Sequence, residues 1–260
     1  MRILAIGDIV GRPGRRAVAA YLPELRRRFA PDFILANAEN AAGGIGVTRD
    51  TGLELLELGI DLLTMGNHAW GKKEAYAFLD EEARVIRPAN YPEGAPGRGW
   101  TVLRSRSGVP VAVMNLGGRV FFTTDLDCPF RTAERVLEAI GRQARVVLVD
   151  FHAEATSEKI ALAHFLDGRV SAVFGTHTHV QTADARVLPG GTAFMTDLGM
   201  TGPRDSVIGI KKKIVIERFL TQLPSRFEVA SGPSELSGAL FDIDETTGLA
   251  RSVEPVRMAD

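Results

Sequence analysis

The chain has a single cysteine, Cys128, in 260 residues. That excludes an internal disulfide and points to a reducing compartment, and a place before Pro129 in a turn-like stretch gives the thiol no nucleophile's surroundings. Cys128 is therefore expected to be structural. Net charge is nearly absent too, at −1. Without a global positive field, extended nucleic-acid binding would need a local basic patch and is not expected, whereas a small anionic substrate remains compatible. Apolar runs are of strand length, and Ile3-Leu4-Ala5-Ile6 passes straight into Gly7-Asp8. Neither a signal peptide nor a membrane span is expected, and the protein reads as cytoplasmic. Several common catalytic motifs are missing as well. The stretch 7–16 lacks the Gly-Lys-Ser/Thr ending of a P-loop, Gly43-Gly44-Ile45-Gly46 lacks the dinucleotide spacing, and Ser157 sits in no nucleophile elbow.

What is present is an ordinary globular composition, 45% hydrophobic and 24% charged, on a chain long enough to bury a substantial core. The patterning predicts strands over 4–6, 33–36 and 62–65, alternating with helices over 15–29, from a cap near Thr48, and over 72–79. The stretch 7–14 reads as a loop. Strands over 101–103 and 111–114 pair about Ser107-Gly108 and interrupt the alternation. A helix after Pro129, a strand over 146–149, a helix over 157–165 and a strand over 170–174 resume it. Beyond them, 185–188 and 192–195 read as a hairpin, 207–220 as a helix, and 227–230, 239–243 and 250–256 as strands. No linker or repeat divides the chain, so one α/β domain over 1–260 containing two packed mixed sheets is expected.

Histidine is scarce, five in all, yet two stand together in Gly175-Thr176-His177-Thr178-His179, just beyond a buried strand. Such a pair is a metal-site candidate, and if the segment stays extended, alternation puts both imidazoles on one face across Thr178. Ligand-type residues also follow the other strands: Asp8; Asn37, Glu39 and Asn40; Asn67 and His68; His152. In open α/β sheets, ligands bind at the carboxyl ends of strands, so these loops can converge on one crevice. Taken singly, Asp8 suits a turn cap, Glu39 a surface charge, Asn37 and Asn40 turn formers, and His68 or His152 a core histidine. Taken together, those readings need five strand ends to carry ligand-type residues independently. His164 lies inside a helix and is expected to be no ligand. The basic runs 26–28 and 211–213 read as helix-end and solvated charges, whereas Arg12, Arg15, Arg16 and Trp70 are candidates for substrate contact.

Oxygen and imidazole donors without a thiolate suit Mn, Fe or Zn. Six or seven of them exceed the need of one tetrahedral ion, while two ions about 3.5–4 Å apart that share a carboxylate would use them all and clamp a phosphoryl group.

The motifs Gly7-Asp8, Gly66-Asn67-His68 and Gly175-Thr176-His177-Thr178-His179 resemble, in the same order, those of the calcineurin-like metallophosphoesterases. More closely, Gly7-Asp8-Ile9-Val10-Gly11, Asn37-Ala38-Glu39-Asn40, Gly66-Asn67-His68-Ala69-Trp70 and the stretch 175–184 resemble the bacterial YmdB-like branch over nearly the whole chain. Val10 stands where the wider superfamily has histidine, Asn37-Ala38-Glu39-Asn40 replaces its Gly-Asp motif, and Ala69 follows His68 in place of an acid. The resemblance implies a four-layer α-β-β-α sandwich of two mixed sheets and two metal ions, iron foremost, with manganese or zinc as alternatives. It implies that Glu39 bridges the ions, that Asp8, Asn40 and His179 complete one site, and that Asn67, His152 and His177 complete the other. His68 would stand outside the ligands, contact the phosphate and protonate the departing alkoxide as a metal-held hydroxide attacks. The implied activity is phosphodiester hydrolysis with 2′,3′-cyclic nucleotides favoured, in a homo-oligomer, dimer or tetramer. Two other readings stay open: a phosphatase or phosphodiesterase of other nucleotides, and a regulatory metal- or phosphate-binding protein with vestigial activity.

Overall fold

The computed structural model describes residues 1–122 and 124–259, so Thr123 and Asp260 of the expected domain lie outside the described residues. In the first sheet, β1 (Arg2–Ile6), β3 (Phe33–Asn37), β4 (Leu62–Thr64) and β5 (Val85–Ile86) run parallel in that order. β13 (Ser234–Ile243) pairs antiparallel with β1, with β14 (Ala250–Ala259) and with β12 (Met200–Pro203), and β12 carries the short β2 (Asp8–Ile9) beside it in parallel. The second sheet has the order β10 (Arg186–Val187), β11 (Ala193–Met195), β9 (Ala172–Thr176), β8 (Val146–His152), β7 (Pro110–Gly117), β6 (Trp100–Arg104). Its four inner strands are parallel and its two edge strands antiparallel.

The period-two alternation of side chains builds the layers. Ile3, Ala5, Phe33 and Leu35 point from the first sheet into a shared core with Val111, Val113, Leu148 and Phe174 of the second. Their neighbours Leu4, Ile6, Ile34 and Ala36 point the other way, onto Val18, Leu22, Leu55 and Phe78 of α1 (Gly11–Phe29), α2 (Arg49–Glu57) and α3 (Ala75–Glu81). On the far side, Ala112, Met114, Val147 and Val149 meet Val136, Ile140 and Leu162 of α4 (Pro129–Ile140) and α5 (Thr156–Phe165). The strands buried on both faces read as continuous apolar runs for this reason. The result is the expected four-layer α-β-β-α sandwich of two mixed sheets.

Parallel strands end on one edge, and the registers show it: Ile6 lies opposite Ala36, Asn37 opposite Thr64, and His152 opposite both Gly117 and Thr176. Among the described residues no helix is long and apolar enough to cross a membrane.

The local expectations need four corrections. The stretch 7–14 is not a loop: Asp8–Ile9 is a strand and α1 starts at Gly11, because Pro13 falls in the first turn, where its missing N–H costs nothing. The helix expected over 72–79 begins at Ala75. The helix expected over 207–220 is α6 (Lys212–Thr221), since Ile208 and Gly209 adopt φ of +46° and +98°, which no right-handed helix accepts. The strand expected over 227–230 is reduced to one bridge between Val229 and Ile210. The cap at Thr48 is present: its hydroxyl accepts from the Thr51 N–H at 3.1 Å while the Thr51 hydroxyl accepts from the Thr48 N–H at 2.9 Å.

Candidate metal centre

His152 ends β8 fully buried, and its two ring nitrogens face different partners. Nδ1 lies 2.9 Å from the Thr176 hydroxyl, which itself donates to Asp150 Oδ1 at 2.7 Å, so the hydroxyl accepts from Nδ1–H. Nε2 is then the free lone pair, and three electron-rich atoms crowd it: Asn67 Oδ1 at 2.9 Å, His177 Nδ1 at 3.0 Å and Glu39 Oε1 at 3.1 Å. One proton on Nε2 can bond only one of them. A cation placed among the four satisfies all, and Glu39, His152 and His177 each present an atom within 4.8 Å of the others, a group able to hold a metal ion.

The remaining imidazoles are oriented in the same manner. His177 Nε2 sits 3.1 Å from Glu154 Oε2, which can only accept, so the Nδ1 lone pair faces His152. His179 Nδ1 donates to the Ile208 carbonyl at 2.9 Å, leaving its Nε2 lone pair 3.8 Å from Asp8 Oδ1. Asp8 is fully buried and accepts from the His177 N–H at 3.2 and 3.3 Å. Asn40 donates its amide to the Gly44 carbonyl at 2.9 Å, and its Oδ1 is buried with no hydrogen-bond partner among the described residues. An orphaned buried carbonyl oxygen, three residues past the end of β3, is what a hard cation would repair. Gly66 keeps the centre open: a Cβ there would lie 2.3 Å from both Glu39 Oε2 and His152 Nε2.

Charge follows burial and proximity. Burial alone would raise Glu39, but the charge and hydrogen bond of His152, aided by His68, hold it at about 2. Burial alone would lower His152, yet Glu39, with Asp8 and Asp150, pushes it up to about 9. Burial lifts Asp8 to about 6 against the pull of His179 and His152, and burial with the neighbouring His152 charge drops His177 to about 3. The site is a compact set of acceptors crowded onto one nitrogen of His152.

All seven residues expected as ligands, Asp8, Glu39, Asn40, Asn67, His152, His177 and His179, stand at this edge of the sandwich. His68 stands beside it, its backbone N–H donating to Glu39 Oε2 at 2.9 Å. Asn37 turns away, bonding Met65 O, Asp150 and Thr176 through its amide and accepting the Glu39 N–H at 3.1 Å. His164 is exposed on α5. Arg15 is committed to Glu54 at 2.7 Å and the Ala41 carbonyl at 2.6 Å, bracing the glycine-rich loop. Arg12 and Arg16 line a separate cleft with Arg226.

The extended geometry expected for 177–179 does not hold. β9 stops at Thr176, and His177 and His179 adopt φ of +99° and +65°, conformations that cost roughly 1–3 kcal/mol each outside glycine. The two rings therefore point to different neighbours instead of sharing a pleat face. A buried ion pair missed from the sequence holds this turn: Lys159 Nζ donates to Asp197 Oδ2 at 2.7 Å and to the Thr176 carbonyl at 2.9 Å. The same Asp197 oxygen accepts from the Thr178 hydroxyl at 2.8 Å and N–H at 3.2 Å. Asp150 and Glu154 were missed likewise. A carboxylate at the end of an apolar strand, as at Asp150 and just past β11 at Asp197, was the available signal.

Comparison with known proteins places this arrangement. The family profile described as "YmdB-like protein" spans residues 4–256. The chain belongs to the YmdB-like family. A 2′,3′-cyclic-nucleotide 2′-phosphodiesterase of Bacillus subtilis (strain 168) is 49% identical over 260 residues, covering 100% of this chain and 98% of that protein. A hypothetical protein from Thermus thermophilus has a crystal structure with TM-score 0.93 at 46% identity, covering 100% of both chains. A novel phosphatase from Mycoplasma pneumoniae also superposes with TM-score 0.93, at 33% identity over 100% of this chain and 93% of that one. The YmdB-like fold is thus that of the metallophosphoesterases, and the relatives of this chain include a phosphodiesterase.

Proposed function

We propose that this YmdB-like protein is a dinuclear-metal phosphodiesterase that opens 2′,3′-cyclic nucleotides by cleaving the 2′ ester. The observation that carries the reading is the meeting of Glu39 Oε1, Asn67 Oδ1 and His177 Nδ1 on one nitrogen of His152. Glu39 would be shared by two cations, Asp8, Asn40 and His179 would hold one, and Asn67, His152 and His177 would hold the other, with iron the first choice of metal and manganese or zinc the alternatives. When bound, the pair supplies positive charge for the phosphoryl oxygens and acidifies a coordinated water.

The chain's own residues do the rest. The His68 N–H fixes Glu39 through Oε2, which leaves Oε1 free to face His152. The His68 imidazole, half-buried and near enough to Glu39 to act on its charge, gives a proton to O2′ as the P–O2′ bond breaks. Water adds to phosphorus and loses a proton, so the products are a free 2′-hydroxyl and a nucleoside 3′-phosphate. Asp150, Thr176 and Asn37 keep the His152 ring from turning. The domain over 1–260 acts as one unit in a homo-oligomer in the cytoplasm. An assembly is supported by α6, whose Ile216, Phe219 and Leu220 are exposed while Val215 alone is buried, and a reducing compartment by the lone Cys128.

The test is turnover of 2′,3′-cyclic AMP, 3′,5′-cyclic AMP and an aryl phosphate by purified protein. The first should be hydrolysed fastest, with 3′-AMP as product. A preference for either of the others contradicts the substrate, and a folded, metal-loaded protein that turns over none of them is a regulatory binding protein instead.

A further inference from the structure

The aromatic side chains near the centre differ in what occupies them. Trp70 stands edge-on to Tyr76 at 5.5 Å and to Tyr91 at 5.3 Å, so the ring expected to touch substrate is taken up by packing. Phe122 covers the imidazoles, its centroid 4.8 Å from that of His177 and 6.2 Å from that of His152. Phe121 is different: it is 84% exposed, the most exposed of the large hydrophobic residues described, and it sits at φ +63°.

Both properties are unfavourable for a phenylalanine. A bulky side chain at positive φ is strained, and a phenyl ring left in water forgoes the gain of burial. The loop nevertheless holds it there from three sides. The Gly118 N–H donates to the His152 carbonyl at 2.9 Å. The Glu158 carboxylate, itself buried, accepts from the Arg119 N–H at 3.0 and 3.2 Å and the Val120 N–H at 3.2 Å. Phe122 packs on His177. The loop is thus tied to the same residues that build the centre, and among the described residues it presents one unstacked aromatic ring, Phe121, a single residue, about 3.8 Å of backbone, from the residue whose ring covers the imidazoles.

We propose that Phe121 is the platform on which the substrate's nucleobase stacks while its phosphoryl group lies at the metal centre. The inference rests on the cyclic-nucleotide reading above and adds how the nucleoside is recognised. In a 2′,3′-cyclic nucleotide the base is separated from phosphorus only by the ribose ring, so its platform must stand close to the centre, and Phe121 is the chain neighbour of Phe122, which packs on His177. Every base has a π face, so stacking favours nucleotides over bare sugar phosphates without selecting one base from another.

Calorimetric titration of 3′-AMP and of ribose 3-phosphate into metal-loaded wild type, Phe121→Ala and Phe121→Trp tests this apart from turnover. Phe121→Ala should weaken 3′-AMP about tenfold or more, leave ribose 3-phosphate unchanged, and be rescued by Phe121→Trp. In kinetics, the KM for 2′,3′-cyclic AMP should rise by the same factor with kcat unchanged. Equal weakening of both ligands, no weakening of either, or a changed oligomer size without a base-dependent effect overturns the proposal. Should wild type bind 3′-AMP yet not hydrolyse 2′,3′-cyclic AMP, the phosphodiesterase reading falls while the paired titrations still decide the role of Phe121.

Discussion

His152 Nε2 and His177 Nδ1 meet at 3.0 Å, and each is the lone-pair side of its ring because the opposite nitrogen is held by an acceptor, Thr176 for one and Glu154 for the other. Two lone pairs at that distance need something positive between them. In the metal-free protein a proton would serve, and in the working enzyme a cation would take its place.

The proton gives a pH prediction for the metal-free form. His152 is raised from its ordinary value to about 9, chiefly because Glu39 outweighs burial, so its contribution to stability is complete below the unfolded-state value of about 6.5 and is lost as pH rises through about 9. Glu39, at about 2, and Asp8, at about 6, have finished titrating in both states above about pH 7.5, and so has His177, whose depressed value of about 3 instead adds stability as pH rises through its unfolded-state value of about 6.5. Chelator-treated protein should therefore lose thermal stability between about pH 7.5 and 9, whereas metal-loaded protein should not. Parallel melting curves for the two forms across that window would refute the assignment.

His68→Ala removes the proposed proton donor without touching a ligand. The variant should keep its full metal content and lose about 10²–10⁴-fold in kcat for 2′,3′-cyclic AMP. Wild-type turnover in this variant would end the general-acid role.

Glu154 orients a ligand from outside the centre. Glu154→Ala frees the His177 ring to turn, and metal affinity should fall roughly 10–100-fold by competition with a chromogenic chelator. Glu154→Gln, which can still accept through its amide oxygen, should recover much of the loss.

The fold was legible because its signal is repetitive: short apolar runs ending in polar residues, with helical patterning between them. The convergence of Asp8, Glu39, Asn67, His152 and His177 followed from the common direction of parallel strands. What stayed hidden depends on distant partners. β12 gives Met200–Pro203 no strand signal of its own and exists by pairing with β2 and β13. Lys159 reads as an ordinary helix-surface cation, and only Asp197 makes its burial tolerable. The left-handed turns at His177 and His179 are conformations a sequence reader assigns to glycine, and here the surrounding hydrogen bonds impose them.

The buried pair yields its own prediction. Lys159→Met leaves the Asp197 carboxylate buried without a cation and frees the Thr176 carbonyl, so unfolding in urea should show a loss of about 3–5 kcal/mol. Metal retention should fall with it, because the 176–178 turn loses its brace. A loss below about 1 kcal/mol would mean the pair does not hold the turn.

Glu39 is proposed to join two metals, and elemental analysis of protein purified without added metal tests this most directly. Wild type should carry two equivalents of iron, manganese or zinc per chain, and folded Glu39→Ala should retain well under one. Near-zero metal in folded wild type, or two equivalents persisting in Glu39→Ala, would contradict it.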